Sequence, residues 1–306
     1  MKKVNESILN ILVYFDLFDH PLAPQEVLNF IDIKTNLSDV IDGLEELRQL
    51  ELVFSDGQFY GLSVDSSQFD KRNKYNDAAN SIMPLAIRTG EMILKFPFVE
   101  DVFISGSLSK YVMAADSDID YFIITKSKRI WLCKLMLKFY KFFKLNNDKN
   151  HFCINYFISK EDLKIYEENK YTAIELATLI PVTKSNLKQQ LVESNLWLKE
   201  ILPQYEIEDN GSIDTVVKTN GSYIIENLFP GIIGTLSNKV VKNLSITRNK
   251  IKYFSLRNSK DFKLMMRSTD HQIKVHNSNH QRRILDLYTK KLKEKSLELK
   301  HVALNA

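Results

Sequence analysis

Residues 98–125 read FVEDVFISGSLSKYVMAADSDIDYFIIT, and this stretch joins two apolar runs through a Gly-Ser turn and a polar loop. An apolar run ends in a Gly-Ser turn at Gly106 and Ser107. Ten residues after that turn, Asp118 and Asp120 lead directly into a second apolar run. Short apolar runs bounded by turn residues are typical of buried strands. The stretch therefore predicts two buried strands joined by a turn and a polar loop.

The residues between and beside these strands are suited to a nucleotide and its metal ions. Two carboxylates that alternate along a strand project to one face, so Asp118 and Asp120 could share divalent ions. Mg²⁺ prefers carboxylate oxygens and keeps substrate phosphates as further ligands. Gly106 permits close approach of the backbone to a phosphate, Ser107 can bind one, and Lys110 adds positive charge. We therefore expect a site for an NTP with Mg²⁺ or Mn²⁺.

The Gly106-Ser107 turn, the ten-residue spacing and the Asp-Ile-Asp motif that ends at Asp120 resemble the signature of the DNA-polymerase-beta-type nucleotidyltransferase superfamily. Within it, the chain is similar to bacterial nucleotidyltransferase-domain proteins of poorly defined substrate. The resemblance covers roughly a third of the chain. It implies magnesium-dependent transfer of a nucleotide from an NTP to an acceptor, whether small molecule, RNA or protein. It also implies that Asp118 and Asp120 are catalytic metal ligands and that Gly106, Ser107 and Lys110 bind the nucleotide.

Two positions depart from the family pattern. Active members place a third carboxylate on a neighbouring strand, where it ligates the catalytic metal and helps to deprotonate the attacking hydroxyl. In the strand predicted at residues 151–159 the corresponding residue is Asn155, whose amide oxygen ligates metal weakly and cannot act as a base. Many members also carry Arg-Gly where this chain has Lys110-Tyr111. A phosphate would therefore contact the single charge of a lysine ammonium instead of the two-pronged guanidinium of an arginine. The alternative function is therefore a nucleotide-binding adaptor or sensor with weak or no turnover.

The segment before residue 64 predicts a separate module. In three successive segments, apolar residues recur at the spacing of an amphipathic helix. An Asp-Gly turn at Asp56 and Gly57 then indicates a two-strand hairpin. Three helices followed by a hairpin are the plan of a winged helix. The third helix would enter a DNA groove, and its acidic residues would repel phosphate, which argues against DNA reading and favours packing or partner docking. These acidic residues are Asp39, Asp42, Glu45 and Glu46.

The expected fold class is α+β with three parts. A winged-helix-like module covers residues 1–63, a nucleotidyltransferase domain on a mixed sheet covers residues 64–165, and a helical region with a basic tail covers residues 166–306. Residues 129–145 form a basic amphipathic helix in sequence. Because that helix follows one predicted strand and precedes another, we interpret it as a crossover helix on the sheet rather than a helix on a membrane surface.

Prolines and turn signals divide the C-terminal region into predicted helices. Two are expected at residues 171–180 and 187–202, each directly before a proline. Two more are expected at residues 232–250 and 282–300. The polar stretch at residues 206–222 contains two Asn-Gly pairs and predicts a linker.

Charge is distributed unevenly, although the net charge is only +4. Residues 1–62 contain four Lys or Arg and eleven Asp or Glu, a balance of −7. Residues 239–300 contain seventeen Lys or Arg and five Asp or Glu, a balance of +12. Either the acidic front and the basic tail attract each other, or the tail has an acidic partner of its own.

The expected compartment is the cytoplasm, and no membrane partner is expected. No apolar run is long enough to span a bilayer, and the first residues lack the pattern of a signal peptide. The two cysteines, Cys133 and Cys153, both lie inside apolar runs. We interpret them as buried thiols rather than as a disulfide or part of a metal-binding framework.

Overall fold

The computed structural model describes residues 3–144, 152–207, 211, 216–252, 269–274 and 279–305. The helices are α1 (Lys3–Asp16), α2 (Pro24–Phe30), α3 (Leu37–Gln49), α4 (Ser67–Leu94), α5 (Ile130–Lys144), α6 (Lys170–Ala177), α7 (Leu187–Glu193), α8 (Trp197–Ile201), α9 (Asn220–Leu228), α10 (Gly231–Lys252) and α11 (Asn279–Asn305). The strands are β1 (Phe54–Ser55), β2 (Tyr60–Gly61), β3 (Val99–Ser105), β4 (Asp120–Thr125), β5 (Cys153–Ser159), β6 (Ile180–Pro181) and β7 (Gln272–Lys274). The predicted α+β class is confirmed.

A mixed sheet of five strands lies at the centre, in the order β6-β3-β4-β5-β7. β3 and β4 are antiparallel, whereas β4 and β5 are parallel. Parallel neighbours need a crossover connection, and α5 lies between them in sequence, as expected. The edge strands β6 and β7 both pair antiparallel with their neighbours. The prediction of a helix through Ile180 was wrong, because α6 ends at Ala177 and Ile180 pairs with Ile104.

The two faces of this sheet are covered by different helices. Side chains alternate between the faces along a strand. Phe103 and Phe122 belong to a core that includes α1, α3 and α6–α8, and we call their side the front face. Val102 and Tyr121 belong to a second core with α4 and α5, on the back face. The N-terminal module therefore packs on the same face of the sheet as α6.

The N-terminal module consists of α1–α3 and the hairpin β1–β2. Asp56 stabilises the hairpin turn by accepting hydrogen bonds from the amides of Gln58 and Phe59 at 2.9 and 2.8 Å. A single bridge links Leu22, between α1 and α2, to Tyr60 in β2. The hairpin is thus tied back to the connection between the first two helices.

Crossover helix α5 covers part of the back face of the sheet. Trp131 and Leu132 are buried in the back-face core, and their amides both donate to the side chain of Asn238 in α10. Phe142 and Phe143, near the end of α5, are exposed. Among the residues that the structure describes, no helix combines the length and apolar character needed to cross a membrane.

The segment predicted as one helix over residues 187–202 is divided into α7 and α8. Asn195 lies in the break and is fully buried. Its side chain accepts from the Ile165 amide at 2.7 Å and donates to the carbonyls of Leu163 and Leu191 at 2.8 and 2.7 Å. An Asn side chain that bonds to backbone competes with helix continuation, which explains why the uninterrupted helix was wrong.

The acidic front and the basic tail contact each other. Helix α11 packs on α1, where Lys291 forms an ion pair with Asp16. The rings of Tyr14 and Tyr288 lie 5.8 Å apart, and Ile284 is buried in the front-face core. Of the two explanations for the charge asymmetry, these contacts favour mutual attraction.

Glu226 ties α9 to the far end of the β3–β4 pair. Its carboxylate accepts from the Phe98 amide at 2.8 Å and from Lys126 and Lys218 at 2.6 Å each. Burial raises the pKa of Glu226, but these three hydrogen bonds outweigh burial and lower that pKa to about 2. This contribution to stability is present above the ordinary pKa of 4.5 and is lost as the pH falls toward 2.

We therefore expect Glu226→Gln to lower the free energy of unfolding by about 2 kcal/mol at pH 7, since it removes charge-assisted hydrogen bonds. The difference in the free energy of unfolding between the variant and the parent protein should shrink below pH 4.5 and disappear toward pH 2. Urea unfolding across this pH range checks the prediction, with the exposed Glu6→Gln as control. A difference that does not change with pH would contradict it.

Candidate functional site

The predicted site lies where β3 ends and β4 begins. Ser105 and Asp120 are paired across these strands, so their side chains share the front face. Asp118 was expected on the strand, but it lies in the loop just before it. Carboxylate oxygens of Asp118 and Asp120 and the sulfur of Cys153 nevertheless lie within 4.8 Å of one another. We call these three residues the carboxylate–thiol cluster.

Gly106 holds the turn directly against this cluster. Its φ of +70° is in the left-handed region that favours glycine. A Cβ at this position would lie 3.0 Å from Cβ and Cγ of Asp120 and closer still to a carboxylate oxygen. The sequence assigned Gly106 to close approach of a phosphate. In the structure, the close neighbour of Gly106 is the carboxylate of Asp120.

Backbone hydrogen bonds close the turn that follows Gly106. The carbonyl of Ser107 accepts from the amides of Lys110 and Val112 at 3.0 and 3.1 Å. The hydroxyl of Ser109 donates to the Gly106 carbonyl at 2.9 Å. Ser107 itself is partly exposed at the start of the turn. We call residues 106–111 the site turn.

Lys110 is anchored within the protein rather than extended into solvent. Its ammonium group donates to the Gly106 carbonyl and to the Glu175 carboxylate, both at 2.8 Å. The Lys110 side chain is only 15% exposed. Its charge is therefore held beside the site turn, but a carboxylate from α6 already balances it.

Asn155 lies at an irregularity in the pairing of β4 with β5. Tyr121 pairs with Ile154 and Phe122 pairs with Tyr156, so Asn155 is the extra residue of a bulge. A regular strand would place Ile154 and Tyr156 on one face, but the bulge separates them, because Ile154 packs in the back-face core and Tyr156 in the front-face core. The bulge places the Asn155 side chain near Asp120, where it lowers the pKa of that carboxyl.

Cys153 is the site residue that the sequence interpretation missed. It pairs with Asp120 in the parallel register, and it is only partly buried. The interpretation as a buried thiol is confirmed for Cys133 but was wrong for Cys153. The available signal was its position two residues before Asn155, in the strand already expected to supply the third ligand.

The cluster has an excess of negative charge. Burial raises the pKa of Asp120, and the neighbouring charge of Asp118 raises it further, to about 7, although hydrogen bonds from Cys153 and Asn155 oppose the change. Burial and the adjacent carboxylates also raise the pKa of the Cys153 thiol well above its usual range. The charge of Glu175 also raises the pKa of Asp120. Such a concentration of acidic groups favours the binding of a cation.

Buried oxygens around Asp120 fit such a cation. Ser105 Oγ, Asp120 Oδ1 and Asn155 Oδ1 are buried and have no hydrogen-bond partner among the described residues. A buried polar atom without a partner costs about 1–3 kcal/mol, so a ligand that contacts these oxygens would be favoured. Hydroxyl, carboxylate and amide oxygens are ligands for hard divalent ions. Asn155, predicted as a metal ligand, is therefore in reach of the cluster.

A cavity of about 720 Å³ borders the site turn. Ser109, Lys110 and Tyr111 line it from the turn, and His20 and Glu26 line it from the N-terminal module. Among the described residues that line it, none belongs to the carboxylate–thiol cluster. Its volume is in the usual range for small-molecule sites. The site turn thus contacts both the cluster and a ligand-sized cavity.

Comparisons of the chain with family models, with curated proteins and with solved structures found no match. The geometry itself belongs to a recognisable chemical class. Paired carboxylates beside a glycine turn, with further buried oxygens around them, suit a divalent cation that also binds phosphate.

Proposed function

We propose that this protein is a magnesium-dependent nucleotidyltransferase that moves a nucleotide from an NTP to an acceptor. The observation that carries the proposal is the approach of Asp118 and Asp120 within 4.8 Å, at a strand start held against the Gly106 turn. The acceptor class stays open between a small molecule, an RNA and a protein. The cavity beside the site turn is a candidate site for a small acceptor.

In this proposal, Asp118 and Asp120 hold Mg²⁺ or Mn²⁺, and the Asn155 amide oxygen is a weaker ligand. The ions, when bound, neutralise the triphosphate and stabilise the attacking and leaving oxygens. Amides of the site turn and the Ser107 hydroxyl bind phosphate oxygens. Lys110 contributes positive charge from its position between the Gly106 carbonyl and Glu175.

Features of the fold support the same proposal. The antiparallel β3–β4 pair extended by the parallel strand β5 suits a nucleotidyltransferase domain. Three helices, a hairpin and the Leu22–Tyr60 bridge suit a winged-helix module ahead of it. Within α3, Glu45 is paired with Arg48, and Glu46 accepts a hydrogen bond from Asn5. An acidic helix engaged in this way favours docking within the protein over DNA reading.

A second candidate function is a nucleotide-binding adaptor or sensor. Asn155, in place of the expected third carboxylate, favours this alternative because an amide cannot accept the proton of an attacking hydroxyl. Glu175 is another carboxylate whose charge reaches Asp120, but it is held in an ion pair with Lys110. The two candidates share the metal–triphosphate site and differ in turnover.

Pyrophosphate release tests the proposed function. The full chain is incubated with each NTP, Mg²⁺ and a cell extract that supplies acceptors, and Asp118→Asn/Asp120→Asn is the negative control. We expect release from the parent protein and none above background from the double variant. Nucleotide binding without release, together with release gained in Asn155→Asp, would favour the adaptor instead.

A further inference from the structure

We propose that the carboxylate–thiol cluster binds a thiophilic divalent cation, such as Zn²⁺, with the Cys153 thiolate as a direct ligand. The inference builds on the proposed function, since it takes the cluster as the metal site, but it requires only metal binding. A cysteine is an unusual neighbour for a magnesium site, because Mg²⁺ selects oxygen ligands and thiolates select zinc and other soft ions. Cys153 therefore changes which ions this site accepts.

The distances are compatible with one ion. Zinc binds thiolate at about 2.3 Å and carboxylate oxygen at about 2.0–2.2 Å, so tetrahedral ligand atoms lie roughly 3.4–3.6 Å apart. The ligand atoms of Asp118, Asp120 and Cys153 already lie within 4.8 Å of one another. Side-chain rotations that move the ligand atoms by about 1 Å would complete a tetrahedral coordination. All three side chains have room to rotate, since they are only partly buried. Three protein ligands leave a fourth position for water or a phosphate oxygen.

A second observation indicates that a ligand binds at the same place. Ser105 is only 7% exposed, and within the part of the chain that the structure describes its hydroxyl oxygen has no hydrogen-bond partner. Because Ser105 is paired with Asp120 across β3 and β4, its side chain projects on the same face as the cluster. The Asn155 amide oxygen is likewise buried and meets no hydrogen-bond partner in the described segments. These oxygens can bond to a metal-bound water or complete the coordination.

The protons balance without an added reactant. A cysteine thiol carries its proton at neutral pH, and the Cys153 sulfur lies beside carboxylate oxygens of Asp118 and Asp120. When a divalent ion binds, the sulfur–hydrogen bond breaks, the sulfur–metal bond forms and the proton leaves to solvent. The ion then replaces this proton as the positive charge between Asp118 and Asp120. Because Zn²⁺ binds such donors more strongly than Mg²⁺, it would displace Mg²⁺ from the cluster.

The chain contains a matched control for Cys153. Cys133 is the other cysteine in the sequence, and it is fully buried in α5 on the back face of the sheet. Its surroundings in the back-face core are mainly apolar. Replacing either cysteine by serine removes one thiol with little change in volume, but only Cys153→Ser removes a ligand atom of the cluster.

Cadmium titration of the full chain tests the proposal, because a cadmium–thiolate bond gives a charge-transfer band in the ultraviolet. We expect the band in the parent protein and in Cys133→Ser, and its absence in Cys153→Ser. Competition with Zn²⁺ should show that Cys153→Ser binds Zn²⁺ at least about tenfold more weakly than the parent protein does. Mn²⁺ affinity, which depends on the carboxylates, should change little in the same variant. Unfolding midpoints of the variants verify that each is folded.

The outcomes separate this inference from the proposed function. A band that persists in Cys153→Ser, or that is lost in Cys133→Ser, would overturn thiolate ligation by Cys153. Magnesium-dependent NTP binding without any cadmium band would overturn the thiophilic site and leave the nucleotide site standing. A cadmium band that requires Cys153 in a protein that binds no NTP would support the metal site and refute the nucleotidyltransferase.

Discussion

Gly106→Ala is expected to lower the affinity for Mg²⁺ and NTP by about a hundredfold, because the new methyl group forces the Asp120 carboxylate, the proposed metal ligand, to move, and changes around a metal ligand cost about 10–100-fold in affinity. The new methyl group would lie 3.0 Å from Cβ and Cγ of Asp120, and closer to its carboxylate. The left-handed φ of +70° adds a loss of about 1–2 kcal/mol in the free energy of unfolding. Nucleotide titration and urea unfolding measure the two effects separately.

Gly57→Ala is the matched control for this prediction. Gly57 also has a positive φ, +98°, but a Cβ there would meet nothing within 4 Å. The control should therefore lose stability through backbone strain and keep its affinity for nucleotide. If Gly106→Ala binds Mg²⁺ and NTP as well as Gly57→Ala does, then the contact between the site turn and Asp120 does not position the site.

Arg72→Met is expected to lower the free energy of unfolding by about 3 kcal/mol, because the partners of a buried guanidinium lose their donor. The Arg72 side chain, in α4, is only 3% exposed. It donates to the Pro21 carbonyl at 3.2 Å and to the Glu26 carboxylate at 2.7 Å. It also reaches the carbonyl of Tyr111 in the site turn at 3.4 Å. One side chain thus joins the N-terminal module, α4 and the site turn.

The neighbouring Lys71 provides the control. Its ion pair with Asp19 is 2.8 Å long, but the two side chains are 41% and 70% exposed. An exposed pair contributes about 0–1 kcal/mol, so Lys71→Met should change stability by less than that. Urea unfolding of both variants under one buffer condition gives the comparison. Equal losses from the two substitutions would show that burial of Arg72 does not determine its contribution.

Local patterns were sufficient to predict much of the fold. Helical spacing indicated α1–α3, α5, α10 and α11, and apolar runs bounded by turns indicated β3–β5. The two edge strands were missed because each contains only two or three residues, and such short segments carry no periodic signal. The break between α7 and α8 was missed because it depends on contacts of Asn195 with a distant loop.

The candidate site was predictable in part for the same reason. Gly106, Asp118 and Asp120 lie close together in sequence and form a motif that can be read directly. Cys153 and Asn155 reach Asp120 only through the register of a parallel strand pair and through a bulge. Glu175 lies on α6 and affects the site through space. Strand register and helix packing across a sheet are tertiary properties, so one sequence did not reveal these neighbours.

Magnesium-dependent stabilisation by nucleotide tests the central claim most directly. The melting temperature of the full chain is measured with each NTP, with and without Mg²⁺, for the parent protein and for Asp118→Asn/Asp120→Asn. Asp116→Asn serves as control, since Asp116 is an exposed residue of the same loop. We predict that at least one NTP raises the melting temperature of the parent and of Asp116→Asn in a magnesium-dependent way. The melting temperature of the double variant should not rise. No rise with any NTP in the parent, or an equal rise in the double variant, would contradict a metal–triphosphate site at these two aspartates.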